Sequence, residues 1–332
     1  MEGYRLIFKE YKYLFQVKKA WGQLLQNNTK DIYQQYEFNR LFFMYRKTSV
    51  SNRKRRNTAC RFIVGLEKGE VVCIAPLAID KTPEKTVRLL GHGTNAGYLD
   101  YIYKESRYVE ELHNYIKNKY VGYKFDYIFI KEKSPLVKLM HVSETFNNYA
   151  IYLSKYEEYF NSLSKSTRQN IRTAYNRMNT DNYIFSLEIY DGNSRIDEEQ
   201  LIKINELYHK RKADWNGGVA TSEQMRKRYL KRDVIFKGAR KLDNPVIAVL
   251  NINNNIAAFF VGFSYTNGIC IPRLAIDTDY GRYSPGMILI NEYLKKVSDI
   301  PNTGFTFDLC RGDEKYKSSL GGKKSITYRL GE

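Results

Sequence analysis

The sequence predicts an α/β fold built of α+β layers, in two domains, 1–150 and 151–332. Three observations carry that expectation. Paired apolar runs separated by glycine- or asparagine-bearing turns recur in both halves, as hairpins do. Between them lie segments whose apolar residues return at helical spacing, a mixture that neither a helical bundle nor a β-sandwich contains. The length, 332 residues, suits two domains rather than one.

In the first half, residues 1–45 are aromatic and lean towards helix, with Trp21, Leu24 and Leu25 on one face and Phe38, Leu41, Phe42 and Tyr45 on another. A polar loop over 46–57 carries six basic residues. A hairpin follows, from apolar 61–66 through the turn Glu67-Lys68-Gly69-Glu70 to apolar 71–79. The runs 87–91 and 98–103 read as another pair, with Gly91, Gly93 and Gly97 between them. A helix over 105–119 precedes a strand over 125–130, the pattern weakens over 134–148, and 149–153 reads as a connecting strand.

The second half opens on its most basic helix, 163–178. Leu163, Ile171, Tyr175 and Met178 form its apolar face, while Lys165, Arg168 and Arg172 stack at i, i+3, i+7 on another. Ser164 reads as an N-cap with Thr167 in the first turn. Helices over 197–212 and 222–232 flank a Gly217-Gly218 break. Strands then return at 246–252, 256–265 and 269–276, joined by Asn253-Asn254-Asn255 and by the hairpin turn Asn267-Gly268. The stretch Tyr280-Gly281-Arg282-Tyr283-Ser284-Pro285-Gly286 opens an amphipathic helix, 287–296, with Ile288, Leu289, Tyr293 and Leu294 apolar. An apolar strand, 305–309, then hands over directly to a dense cluster of charges. Both halves show hairpin, helix and strand, but no residue-level repeat is visible.

No run of about 18 apolar residues could span a bilayer, and the N-terminus lacks the apolar core and cleavage site of a signal peptide. A cytoplasmic protein is expected. Cys60, Cys73, Cys270 and Cys310 are far apart in sequence, have no metal-ligand spacing and do not cluster with His92, His113, His141 or His209, so reduced core thiols and no metal are expected. The 54 basic and 36 acidic residues give a net charge of +18. Both halves are basic, with 26 basic and 15 acidic residues in the first 150 and 28 and 21 in the rest. That suits a polyanionic ligand such as a nucleotide, CoA, tRNA or a membrane surface, without choosing among them. No GxSxG elbow, HExxH, Walker A or GxGxxG sequence occurs, which leaves nucleophilic and nucleotide-hydrolysing readings without support.

A strand, a glycine-bearing loop and a helix together bind pyrophosphate, because first-turn N–H groups face the anion and glycine lets the backbone approach. Here 274–276 is the strand, Arg282 the added cation and Gly286 the close-approach glycine. The charged cluster Phe307-Asp308-Leu309-Cys310-Arg311-Gly312-Asp313-Glu314-Lys315-Tyr316-Lys317, followed by Ser319-Leu320-Gly321-Gly322, resembles the CelD/BcsL-like acetyltransferases of the GNAT superfamily. Residues 163–172 resemble that family's LSKxxRxxIR helix, and His209, Arg211 and Trp215 its helix-end pattern. Ile74-Ala75-Pro76-Leu77, Leu90-Gly91 and Asp100-Tyr101 resemble its N-terminal pattern more loosely.

The resemblance implies tandem GNAT-like domains, each a mixed twisted sheet flanked by helices, in a FemAB-like arrangement with the acyl-CoA site in the second. It further implies that Tyr316 lies near the sulfur of acetyl-CoA or another acyl-CoA, as the acid for the departing thiolate. Arg282, Ser284 and Gly286 would hold the cofactor. Backbone amides of 273–277 would face the developing oxyanion. Asp308 and Asp313 are the candidate bases, although an Asp beside Arg311 equally serves as an ion-pair partner. Arg168 and Arg172, with Arg311, Lys317 and Asp100, form the expected acceptor-binding set. The expected function is N-acylation of an amine on a sugar nucleotide or cell-envelope precursor. The alternatives are a FemAB-like transferase using aminoacyl-tRNA and a non-catalytic polyanion-binding module working through the basic loop.

Overall fold

The computed structural model describes residues 6–25, 31–48, 57–94, 96–215, 233–298 and 304–332. The chain divides into two compact units, Met1–Asn147 with Ile326–Glu332, and Asn148–Ser325. The helix expected over 222–232, the Gly217-Gly218 break and residues 49–56 of the basic loop lie outside the described residues. Among the described residues no helix is long and apolar enough to cross a membrane.

In the first unit, β1 (Ile7–Tyr11), α1 (Lys18–Leu25) and α2 (Tyr36–Thr48) precede β2 (Thr58–Glu67), β3 (Glu70–Asp80), β4 (Thr86–Leu89) and β5 (Ile102–Tyr103). Then come α3 (Arg107–Lys119), β6 (Lys124–Lys131) and a single turn, α4 (Leu136–Leu139). The sheet runs β1-β2-β3-β4-β6, antiparallel except for β4 and β6, which lie parallel across the α3 crossover. Helix α3 buries Val109, Leu112 and Ile116, the i, i+3, i+7 stripe of its sequence, and burial of each such side chain stabilises by about 1.5–3 kcal/mol.

Two expectations are corrected in this unit. Residues 7–11 are a strand and not helix, because Ile7 to Tyr11 ladder onto Leu66 to Phe62 of β2, a contact with no local signature. The runs 87–91 and 98–103 do not pair with each other. Instead β4 bonds β3 on one side and β6 on the other, while β5 pairs β3.

The second unit contains β7 (His141–Leu153, from residue 148), α5 (Tyr156–Ser162), α6 (Lys165–Thr180), β8 (Phe185–Tyr190), α7 (Glu198–Trp215) and α8 (Val234–Lys241). It continues with β9 (Pro245–Ile252), β10 (Asn255–Tyr265), β11 (Gly268–Ile276), α9 (Pro285–Ser298), β12 (Phe305–Arg311) and α10 (Lys315–Ser319). Ser164 caps α6 as expected, accepting from the Thr167 amide at 3.1 Å. The sheet order is β7-β12-β11-β10-β9-β8, again antiparallel except for β11 and β12, which are parallel across α9. Its core is the fully buried β9 against α9, whose Ile288, Leu289 and Leu294 are buried and whose Tyr293 meets the Phe260 ring edge-on at 4.9 Å.

The last strand, β13 (Lys323–Gly331), contributes residues 327–331 to the first unit as the antiparallel neighbour of β6. The first unit thus reads β1-β2-β3-β4-β6-β13 and the second β8-β9-β10-β11-β12-β7, the same order twice. Even the backbone anomaly is repeated. Phe129 in β6 and Cys310 in β12, each the sixth residue of its strand, are left-handed at φ 61° and 57°.

Candidate active site

The parallel ladder of β11 and β12 is short, running from Gly268 opposite Thr306 to Cys270 opposite Asp308. Beyond it β11 continues to Ile276, while β12 bulges at left-handed Cys310. Residues 271–276 have no ladder partner on that side among the described residues. Every second peptide of such a stretch turns its N–H and C=O into the gap, because the alternate peptides are taken by β10. The gap is a cavity of about 410 Å³. Leu274, Ile276 and Met287 give it apolar walls, Ser284 and Gly286 lie at the start of α9, and Arg211, Glu314 and Tyr316 line the rest with Ala275.

At the start of α9 the chain leaves a donor exposed by construction. Ser284 is left-handed at φ 50°, and its carbonyl accepts from Met287 at 2.9 Å and Ile288 at 3.1 Å. Pro285 has no N–H. Among the described residues this leaves the Gly286 amide as the first-turn donor without an acceptor, at the positive end of a 14-residue helix. Gly286 is also required sterically, since a Cβ there would lie 2.9 Å from Ile276 Cγ2.

Across the cavity, Tyr316 is half-buried on α10. Burial, helped by the Glu314 charge, holds its phenol well above the usual range, so it keeps its proton at neutral pH. Its hydroxyl has no hydrogen-bond partner among the described residues. Glu314, the residue before α10, lies with Oε2 2.9 Å from Lys317 Nζ. The carboxylate folds back over Gly312, at φ 126°, where a Cβ would come within 2.3 Å of Oε2. Only glycine permits that backbone and that approach together.

Residues 165–318, from the first residue of α6 into α10, match the family model described as an acetyltransferase (GNAT) domain. The fold is GNAT-type. No curated protein matches the chain in sequence. Among solved structures it is similar to FemX, with a TM-score of 0.59, 11% identity and 97% of each chain covered. It is similar to the C-terminal domain of a candidate lysylphosphatidylglycerol synthetase from Agrobacterium fabrum, with a TM-score of 0.54, 10% identity and 96% of this chain and 92% of that one covered. A tandem GNAT protein from the clavulanic acid biosynthesis pathway aligns with a TM-score of 0.50, 10% identity and 98% of each chain. Identities this low speak to fold alone.

Of the residues expected to form the site, the GNAT domain brings Ser284, Gly286 and Tyr316 together around one cavity. The others lie elsewhere, for reasons visible in their contacts. Arg282 is exposed, pairs with Asp181 at 3.5 Å, and its carbonyl accepts from Arg177 at 2.9 Å. Asp308 is buried, with Oδ1 accepting from the Cys310 amide at 2.8 Å. Asp313 is exposed and accepts from the Tyr149 hydroxyl at 3.4 Å. Lys317 is turned inward, its ammonium donating to the carbonyls of Arg311 at 2.7 Å and Cys310 at 3.4 Å. Arg311 itself pairs with Asn148 of β7 in the ladder. Arg168 donates to the carbonyls of Asn161 and Leu163, both at 2.6 Å, and Arg172 sits 5.9 Å over the Phe160 ring. His209 is buried against the Tyr208 ring.

Asp100 belongs to the first unit, in a cavity of about 200 Å³ shared with Asp31, Tyr98, Tyr103, Lys131 and Ser134. Burial pushes its carboxyl up to about 7. In that unit the Leu99 amide donates to the Phe129 carbonyl of β6 at 3.1 Å. The cavity residues absent from the expected site are Glu314, Arg211 and Met287. Glu314 stands inside the charged cluster, one residue from Asp313, and Arg211 near the end of the helix before Gly217, but neither position signals which way its side chain faces.

Proposed function

We propose that the second unit is an acyl-CoA-dependent N-acyltransferase whose acceptor is an amine on a sugar nucleotide or other cell-envelope or polysaccharide precursor, acting in the cytoplasm, as in the CelD/BcsL-like branch. The observation that carries this reading is the cavity between diverging β11 and β12, closed at one side by the unsatisfied Gly286 amide and at the other by Tyr316. Its residues fit the group. Leu274, Ile276 and Met287 suit a pantetheine arm and acyl chain, and the start of α9 suits the pyrophosphate.

An acyl thioester would supply the activated acyl group, and the remaining work falls to the chain. Outward-facing amides of 271–276 donate to the carbonyl oxygen as it gains charge. Glu314 holds the acceptor ammonium and takes up its proton, a role that its place in the cavity supports better than that of Asp308 or Asp313. Tyr316 keeps its phenolic proton for the leaving sulfur. One acyl-CoA per chain is expected, at the cavity of the second unit. Isothermal titration with acetyl-CoA tests this reading. It predicts saturable binding with a stoichiometry near one, and no heat at millimolar ligand with folded protein would sink it.

The net charge of +18 favours a second reading, transfer from aminoacyl-tRNA. In that case tRNA binding would fall steeply between low and moderate salt, and acetyl-CoA would not bind.

A further inference from the structure

Cys270, Asp308 and Cys310 form a buried group at the point where β11 and β12 part, their ligand-type atoms all within 4.8 Å of one another. The two Sγ atoms are 3.1 Å apart, and all four cysteines are thiols. Sequence spacing hid this pair, since forty residues separate its members. Cys60 and Cys73 offer the contrast. They lie on neighbouring strands but on distant rungs, Cys60 opposite Ala78 and Cys73 opposite Gly65.

Geometry decides what the pair can do. A disulfide needs an S–S distance of about 2.05 Å, roughly 1 Å of further approach. Two thiolates on tetrahedral zinc, each at about 2.3 Å, would instead have to move apart to roughly 3.8 Å. Among the described residues the group offers three donors, and the Asp308 carboxylate already accepts the Cys310 amide at 2.8 Å. The backbone points the same way. Cys270 sits on the last rung of the parallel ladder, and the left-handed bulge at Cys310 turns β12 there so that the two sulfurs face each other.

We propose that Cys270 and Cys310 are a dithiol–disulfide couple, oxidised by hydrogen peroxide, whose closure clamps β12 to β11 at the base of the cavity. Cys310 is the more exposed of the two, at 6% against 2%. Its thiol gives up its proton and the sulfur attacks one peroxide oxygen. The O–O bond breaks, leaving a sulfenic acid and one water. The Cys270 sulfur then attacks the sulfenic sulfur, the S–O bond breaks, and the second water leaves with the Cys270 proton. Two thiols and one peroxide thus give one disulfide and two waters. The clamp reaches the cavity rim, because the Cys310 and Arg311 carbonyls both hold Lys317, the residue after Tyr316.

The test uses the full chain, purified under reducing conditions and assayed for bound zinc by elemental mass spectrometry. It is then treated with hydrogen peroxide, unfolded in an alkylating agent and digested without reduction. A single cross-linked peptide pair joining Cys270 and Cys310 is expected, reversed by dithiothreitol, with Cys60 and Cys73 recovered alkylated. The oxidised protein should melt several degrees higher than the reduced one, and Cys270→Ser and Cys310→Ser should each abolish that difference. Recovery of Cys270 and Cys310 as alkylated thiols or as sulfinic or sulfonic acids would overturn the proposal, as would stoichiometric zinc in the purified protein. Peptide mapping uses the unsubstituted chain, so it decides the matter even where a serine variant fails to fold.

Discussion

Gly286→Ala is the substitution whose effect can be worked most directly from the structure. Its new methyl would lie 2.9 Å from Ile276 Cγ2 and 3.8 Å from Leu274 Cδ2. Carbon atoms settle at about 3.5–4.0 Å, so the first contact must relax by roughly 0.6 Å or more. Ile276 is β-branched on a strand and cannot swing Cγ2 aside without leaving its χ1 well. The start of α9 therefore moves. Overpacking of this kind costs about 1–3 kcal/mol, offset by the roughly 0.5–1 kcal/mol by which alanine is better in a helix. A net loss of up to about 2.5 kcal/mol is expected in denaturant melts. Binding should suffer more, because a hydrogen bond to a charged group is worth about 1.5–3 kcal/mol and depends on the position of the Gly286 amide. Acetyl-CoA affinity should fall roughly 10- to 100-fold by isothermal titration. Ile276→Ala in the same background removes the clashing carbon and should restore most of the stability lost, a coupling that a double-mutant cycle reads directly. Should Gly286→Ala bind acetyl-CoA as the parent does, the start of α9 is not the pyrophosphate site.

Four further outcomes are expected. Tyr316→Phe should lower turnover about 10- to 1000-fold with acyl-CoA affinity nearly unchanged, since the phenol acts only as the sulfur departs; full activity would make the ring mere packing. Glu314→Gln should cut kcat/KM for the acceptor about 100-fold, and a variant with the parent's kcat/KM would exclude Glu314 as the base. Asp233→Ala should cost about 3–5 kcal/mol, because it removes the carboxylate 2.8 Å from the Arg273 guanidinium, which is 7% exposed, and also the cap of α8. The Asp233 carboxyl is buried but lies below its usual range because of Arg273, so this stability is present above about pH 3.9 and lost as pH falls through the folded value; a parent and variant equally stable at pH 7 would refute the pairing. For Asp100 the sign is opposite: with its carboxyl up at about 7, the folded state loses stability as pH rises from the unfolded value to that point, so Asp100→Asn should gain on the parent between pH 4 and 7 and keep a constant lead above it.

What the sequence made legible was local chemistry. The Ser164 cap, the Asn267-Gly268 turn with Asn267 at φ 59°, and the inward stripe of α9 all follow from neighbours a few residues apart. The strands β1, β8 and β13 were not legible, since their residues are mostly half-exposed and each is a strand only because a distant partner bonds it. Within the site, the sequence pointed to Arg282, Ser284, Gly286 and Tyr316, and the last three line one cavity. It could not tell Glu314 from Asp313. One residue of difference at the entrance to α10 turns one carboxylate into the cavity and the other to Tyr149, and side-chain direction there is set by Gly312 at φ 126°.

The return of β13 to the first unit has a consequence for how the protein is made. Residues 327–331 bond to 126–131, and the Arg329 guanidinium grips Asp126 at 2.8 Å. A ribosome delivers residues 1–147 first, yet their sheet cannot be completed until residues 326–331 have emerged. Until then β6 carries a bare edge of unpaired peptide groups, the kind of surface on which nascent chains associate wrongly. The half that is synthesised first is therefore the half that closes last. Removing residues 327–331 would leave the second unit's strands β7 to β12 in place while baring β6 of the first.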